Sequence, residues 1–348
     1  MVALFGVSEW FIARKAATTL LYTPNDHYRQ DLVPNQVYAR DGYENHIGPH
    51  GLRGEEPVVP KPEGVLRIAV MGGSSVFDIR SDVGWPRRVQ DILRARGLGK
   101  VEVFNAGVPG FSTREVLPFY ERKVAAYQPD VVLLYVGWND VKPMRGSQVE
   151  LTLPPWPRLK PGAHDPYAFL TAPRPARNWY ALQLLFQKLE LRAGFMAENT
   201  AAPAGAAVAP VPTSTRAEDW AATPGVRYYA DNVTAFIEAV RAHGARPVIV
   251  AEATLHWPGL PAAEHKRIAY HFVGLSHLSL MAVTEAMVAA ERAAAEAAGA
   301  PWLDPRPGVS GVPGNFYDHV HLTPAGSRAL AEAVAAQLLP LLTPAGGT

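Results

Sequence analysis

The 348-residue sequence contains no cysteine, which excludes disulfides, thiolate metal sites and a cysteine nucleophile. It also lacks a charge excess: 33 Lys+Arg against 32 Asp+Glu leave a net charge of +1. Nothing therefore points to nucleic acid or an anionic membrane as the main partner. No internal repeat is visible. A membrane-spanning helix needs roughly 20 apolar residues, and the apolar start (Val2, Ala3, Leu4, Phe5, Val7) soon meets Glu9, Arg14 and Lys15. No basic stretch precedes it, as a secretory signal requires. Two readings of residues 1–21 stay open: the stub of a removed anchor with peripheral membrane association, or an amphipathic helix packed on the surface.

What is present suits a globular chain, at 48% hydrophobic and 19% charged residues, enough to bury a sizeable core. The length allows one large α/β domain with insertions, or one domain with a smaller partner. The 32 prolines and 29 glycines fall mostly in loops and imply long connections. Residues 25–62 are turn-rich (Pro34-Asn35, Asp41-Gly42, Gly48-Pro49) and read as irregular chain lying along a sheet edge.

The chain is organised around residues 66–77, LRIAVMGGSSVF. A short apolar, β-branched run reads as a strand buried on both faces. It breaks at Gly72-Gly73, and Ser81-Asp82 can cap a following amphipathic helix carrying Trp85, Val89, Ile92 and Leu93. Further strands are read at 101–105, 130–136 (the most hydrophobic, hence central), 247–251 and 301–304. Ser112 or Thr113 caps a helix through Val116 and Phe119, and Thr323-Pro324 starts a final helix over 325–342. In 262–299, Gly274 is a candidate break. Strands alternating with helices imply right-handed crossovers and a parallel sheet.

Strand ends at the carboxyl edge of such a sheet are where chemistry sits. Ser74, beside backbone N–H groups at a strand-to-helix turn, is a candidate nucleophile; the alternative is two turn hydroxyls, Ser74 and Ser75, satisfying backbone. Gly107 and Asn139 end the second and third strands. Near the C-terminus stands Asp318-His319-Val320-His321. An aspartate three residues before a histidine can accept its Nδ1–H and leave Nε2 to take a proton from a serine.

These blocks, Gly72-Gly73-Ser74, Asn105-Ala106-Gly107, Gly137-Trp138-Asn139-Asp140 and Asp318-x-x-His321, resemble those of the SGNH (GDSL-like) hydrolase superfamily in kind and order. The resemblance covers roughly residues 65–342 apart from an insertion at 141–225. It implies a three-layer, flavodoxin-like α/β fold with a central parallel sheet of about five strands. Residues 1–63 would be an N-terminal extension packing on a catalytic domain, 64–348. By resemblance Ser74 is the nucleophile, Asp318 and His321 complete a triad, and Ser74 N–H, Gly107 N–H and the Asn139 side chain form an oxyanion hole. The position within each block favours Ser74 over Ser75 and His321 over His319, the latter expected to be exposed. One departure is Gly73, where the superfamily has an aspartate.

The implied activity is hydrolysis of acyl esters, O-acetyl esters included, of a carbohydrate or small molecule through an acyl-enzyme. Acyl transfer with the same triad, or a binding module on this fold, are the alternatives. Trp138, Trp156, Tyr167 and His256 are candidate substrate contacts. Within the insertion, residues 201–212 are Ala-, Pro- and Gly-rich and read as a disordered segment. The spacings of His256, His265, His271 and His277 match no ligand motif, and no metal or organic cofactor is implied. The text at 47–54, IGPHGLRG, resembles the lead-in of some envelope-associated members, pointing to the bacterial cell envelope, with the cytoplasm as the alternative.

Overall fold

The computed structural model describes residues 22–25, 28–145 and 214–343. The expectations for residues 1–21, for Trp156 and Tyr167, and for 201–212 lie outside the described residues.

The N-terminal part forms two antiparallel hairpins, β1 (Tyr22–Asn25) with β2 (Arg29–Leu32) and β3 (Gln36–Arg40) with β4 (Tyr43–Ile47). The irregular chain expected here is thus corrected. Arg40 pairs with Tyr43, and the two residues between them, Asp41 and Gly42, have φ of 50° and 85°. Two consecutive positive φ values make the tight turn whose twist matches flanking strands.

The α/β alternation follows: β5 (Leu66–Gly72), α1 (Ser74–Phe77), α2 (Gly84–Ala95), β6 (Val101–Gly107), α3 (Thr113–Arg122), β7 (Val131–Tyr135) and α4 (Trp138–Arg145). After the insertion come α5 (Ala217–Ala221), α6 (Pro224–Ala242), β8 (Arg246–Val250), α7 (Tyr270–Val273), α8 (His277–Ala297), β9 (Trp302–Leu303) and α9 (Pro324–Leu342). The five parallel strands run β6-β5-β7-β8-β9, the flavodoxin-like order. Helices cover both faces; α2 packs with α9, and α6 with α3 and α8. All five residues of β7, the middle strand, are buried, as strands between two helical layers must be.

Local chemistry sets the boundaries. Ser112 and Glu115 form a full capping box at α3. Thr323 caps α9 with Pro324 in its first turn. Gly274, at φ 63°, ends α7 in the left-handed conformation. Val83 holds the N-cap position of α2 without a side-chain cap of its own, and Ser81, the expected cap, accepts the N–H of Gly84, the first helical residue, at 3.3 Å. The first-turn N–H of Trp85 is satisfied from farther back, by the Asp78 carboxylate at 3.0 Å.

The β6 edge is covered by side chains. Gln90 Oε1 accepts the Val103 N–H at 2.8 Å, and Arg94 Nε donates to the Val101 carbonyl at 3.0 Å. Arg53 adds isolated bridges to Ile47 and Asn105, carrying the hairpin region onto the same edge. An edge so occupied cannot template pairing with another chain. Among the described residues no helix is long and apolar enough to cross a membrane.

Candidate active site

The order in which strands are added reverses between β5 and β7, so the crevice beyond their carboxyl ends is the switch point of the sheet. Ser74 is the first residue of α1 and partly exposed; a first-turn N–H has no partner within its own helix. Ser75 differs sharply: it is 3% exposed, and its hydroxyl donates to Glu252. Behind them Asp78, also buried, accepts from Trp85 N at 3.0 Å and Ser327 Oγ at 2.6 Å, which pins the turn to α2 and α9. Burial raises the Asp78 carboxyl, against the pull of Arg53.

Gly73 has a geometric reason. A Cβ there would stand 2.8 Å from Asn139 Nδ2 and 2.9 Å from the Phe111 carbonyl. The loops after β6 and β7 close over this peptide, so the aspartate expected at this place in the motif has no room.

Asn139 lies in the first turn of α4, and its Nδ2 donates to the Phe111 carbonyl at 2.8 Å. A primary amide carries two hydrogens on that nitrogen; one fixes the orientation and the second is left for a ligand. Its neighbour Asp140 is buried and accepts from Thr113 N at 3.0 Å and Thr113 Oγ1 at 2.5 Å. Burial pushes Asp140 up to about 8 despite these bonds. Asp140 thus ties α4 to α3.

Gly107 is the third residue expected at the oxyanion hole. It is buried, and its N–H donates to Asn105 Oδ1 at 2.9 Å. The same connection after β6 supplies the Phe111 carbonyl that orients Asn139.

The fourth element follows Phe316. Asp318 Oδ1 accepts the N–H groups of Val320 and His321 at 3.1 and 2.9 Å, curling the loop back. His321 Nδ1 then meets Oδ1 at 3.0 Å and Oδ2 at 2.8 Å. A ring that donates from Nδ1 keeps its lone pair on Nε2. Burial works to raise Asp318, but the His321 hydrogen bond and charge, with His319, hold it well below the usual carboxylate range. Arg80 Nη1 stands 3.7 Å from Asp318 Oδ2, and its Nε donates to Asp41 at the β3–β4 turn at 2.7 Å. His319 is not the exposed residue expected. Its side chain is 13% exposed and packs on Trp138 with the rings tilted by 36° and their centroids 3.9 Å apart.

Two expected substrate contacts, Trp138 and His256, are buried. Trp138 is 6% and His256 3% exposed, and their rings lie 5.8 Å apart, centroid to centroid. His256 Nε2 pairs with Thr284 Oγ1 at 2.9 Å, and burial, then the charges of His319 and His277, push the ring down to about 3. Of the other histidines, His265 stacks on His277 at 4.0 Å.

The buried carboxyls make stability depend on pH. Burial raises Asp140 to about 8 and, despite a 2.6 Å bond from Tyr229, Glu291 to about 7. A carboxyl raised in the folded state keeps its proton where the unfolded chain has lost one. Its contribution therefore falls as pH rises from about 4 to about 8. The melting temperature is expected to be higher near pH 5 than near pH 8. The double variant Asp140→Asn/Glu291→Gln should flatten that slope. A wild-type melting temperature that climbs over this range would contradict the assignment.

The switch point of an open parallel sheet, with Ser74 following the glycine that packs against Asn139 and a carboxylate-bound histidine on a C-terminal loop, belongs to a three-layer α/β fold. Residues 70–329 match the GDSL-like Lipase/Acylhydrolase family; the chain belongs to that family and is an ester hydrolase. Among solved structures it is similar to LAE5, an alpha/beta hydrolase enzyme from the metagenome of Lake Arreo, Spain, at 13% identity over 81% of this chain and 97% of that one, with TM-score 0.45. It is similar also to a GDSL-like lipase from Bacteroides thetaiotaomicron at 13% identity, covering 82% and 93%, with TM-score 0.45. The acetylxylan esterase Axe2 from Geobacillus stearothermophilus is a third, at 14% identity, 78% and 93% coverage and TM-score 0.45. No curated protein matches the sequence significantly.

Proposed function

We propose that this hydrolase is a serine esterase that cleaves acyl esters, O-acetyl esters included, of a carbohydrate or small molecule through an acyl-enzyme. Ser74 is the nucleophile, His321 the base and Asp318 its orienter. The Ser74 N–H and the second Nδ2 hydrogen of Asn139 receive the oxyanion. The observation that carries the reading is the two-oxygen contact of Asp318 with His321 Nδ1, at the sheet edge where Ser74 is the partly exposed serine. As Ser74 Oγ bonds to the ester carbonyl carbon, His321 Nε2 takes the hydroxyl proton, and the carbonyl electrons move onto oxygen. Collapse of that intermediate breaks the bond to the alcohol, which leaves with the proton from His321. Water, deprotonated by the same ring, then releases the acid and restores Ser74.

The N-terminal extension, residues 1–63, belongs to the catalytic unit in this reading. Its support is the Asp41–Arg80 bond beside Asp318 and the Arg53 bridge to Asn105.

The test is a panel of p-nitrophenyl esters graded by acyl length, run beside acetylated glycans, on the wild type and Asn139→Ala. Losing an oxyanion donor should lower kcat by roughly 10²–10³, about 2.7–4 kcal/mol. A loss under about threefold would remove Asn139 from the hole. No turnover of any ester would overturn the esterase reading.

A further inference from the structure

Three chain segments meet on one buried carboxylate that the proposed mechanism does not use. Glu252 lies just past the end of β8 and is 6% exposed. Its Oε1 accepts the hydroxyl of Ser75, the neighbour of Ser74, and its Oε2 accepts the backbone N–H of Trp138, the neighbour of Asn139. Gly137 makes the approach possible, since a Cβ there would stand 2.9 Å from Glu252 Oε2. β8 pairs with β7 and not with β5, so Glu252 reaches across the end of β7 to the Ser74 turn. The sheet ladder does not provide that link.

We infer that Glu252 is a positioning residue that fixes the distance between the Ser74 turn and the Asn139 loop. The inference rests on the reading of Ser74 and Asn139 given above. Both of those groups must meet one reacting carbonyl, and a displacement of about 1 Å can cost on the order of 10²-fold in rate. Ser75 and Trp138 are one residue from each, so a shared acceptor transmits any movement of one to the other.

The surroundings of Glu252 fit a fixed acceptor. Burial raises its carboxyl, while Ser75, Trp138 N–H and the His321 charge pull it back toward the ionised form. Asp140, Glu291 and the phenols of Tyr135 and Tyr229 also face it. A glutamine can keep both contacts: its carbonyl accepts from Trp138 N–H, and its amide donates to Ser75 Oγ once that hydroxyl rotates. An alanine keeps neither.

The experiment compares Glu252→Ala, Glu252→Gln and Ser75→Ala with the wild type on p-nitrophenyl acetate, with Ser74→Ala as the control for the mechanism itself. Glu252→Ala should lower kcat by about 10²-fold with KM nearly unchanged. Glu252→Gln should recover most of that loss, and Ser75→Ala, which cuts one of the two ties, should fall between. Where Glu252→Ala does not fold, Ser75→Ala and Glu252→Gln decide. Wild-type kcat in Ser75→Ala and in a folded Glu252→Ala would overturn the inference. So would a Glu252→Gln variant as slow as Glu252→Ala, which would make charge rather than position the property that counts. Full activity in Ser74→Ala would instead overturn the mechanism on which the inference stands.

Discussion

Ser74→Ala is expected to lower kcat by about 10⁶-fold, the scale on which removal of a serine nucleophile acts when base and oxyanion donors remain. The size follows from the absence of a substitute. Ser75 is one residue away, but it is buried and its hydroxyl is committed to Glu252. Turning it toward the crevice would leave a buried carboxylate short of a donor, at a cost of about 1–3 kcal/mol or more. A serine-reactive phosphonate should therefore label the wild type and Ser75→Ala, and fail to label Ser74→Ala. Both serines lie on one tryptic peptide, between Arg67 and Arg80, so the adduct has to be placed by fragment sequencing. An adduct on Ser75, or a Ser74→Ala rate within about tenfold of wild type, would reject the assignment.

The sheet was legible because its strands are short, apolar and separated by cappable helices. Ser112, Thr323-Pro324 and Gly274 punctuate the chain where their chemistry requires. The hairpins of the N-terminal part were not legible. Their strands, such as QVYAR and YENHI, are half-exposed with polar alternation, and Asp41-Gly42 was read as a turn without the pairing that makes it a hairpin. Near the site, Asp318-x-x-His321 carried its own geometry because both partners lie within four residues. Gly107 is the opposite case. A strand-end glycine is visible in the sequence, but whether its N–H is free depends on the Asn105 side chain folding back onto it. Glu252 could not be found at all: its partners are 177 and 114 residues away. A carboxylate ending the apolar run PVIVA is the single hint, and nothing local says what it meets. The burial of Trp138 and His256 was likewise not legible, since it comes from packing against His319 and Thr284, both far away in sequence.

Asp318→Asn should cost about 10⁴-fold in kcat, with the fold intact. The carboxamide oxygen of an asparagine can still accept from Val320 N–H and His321 N–H, the bonds that shape this loop. What changes is the atom facing the ring. An amide NH₂ set against His321 Nδ1 donates where the carboxylate accepted, so Nδ1 must supply the lone pair and Nε2 must carry the proton. A protonated Nε2 cannot take the Ser74 hydroxyl proton, and the carboxylate that would stabilise the imidazolium is gone as well. The geometry survives while the base is in the wrong tautomer. His321→Ala removes the same function by a different route, so the double variant Asp318→Asn/His321→Ala should be no slower than the slower single variant. Residual turnover in all three should still fall further with Asn139→Ala, because the oxyanion donors act on whatever nucleophile remains. A loss under about tenfold in Asp318→Asn, with unchanged melting temperature, would show that His321 does not depend on this carboxylate for its tautomer. Losses that multiply in the double variant would show that Asp318 and His321 do not act as one unit.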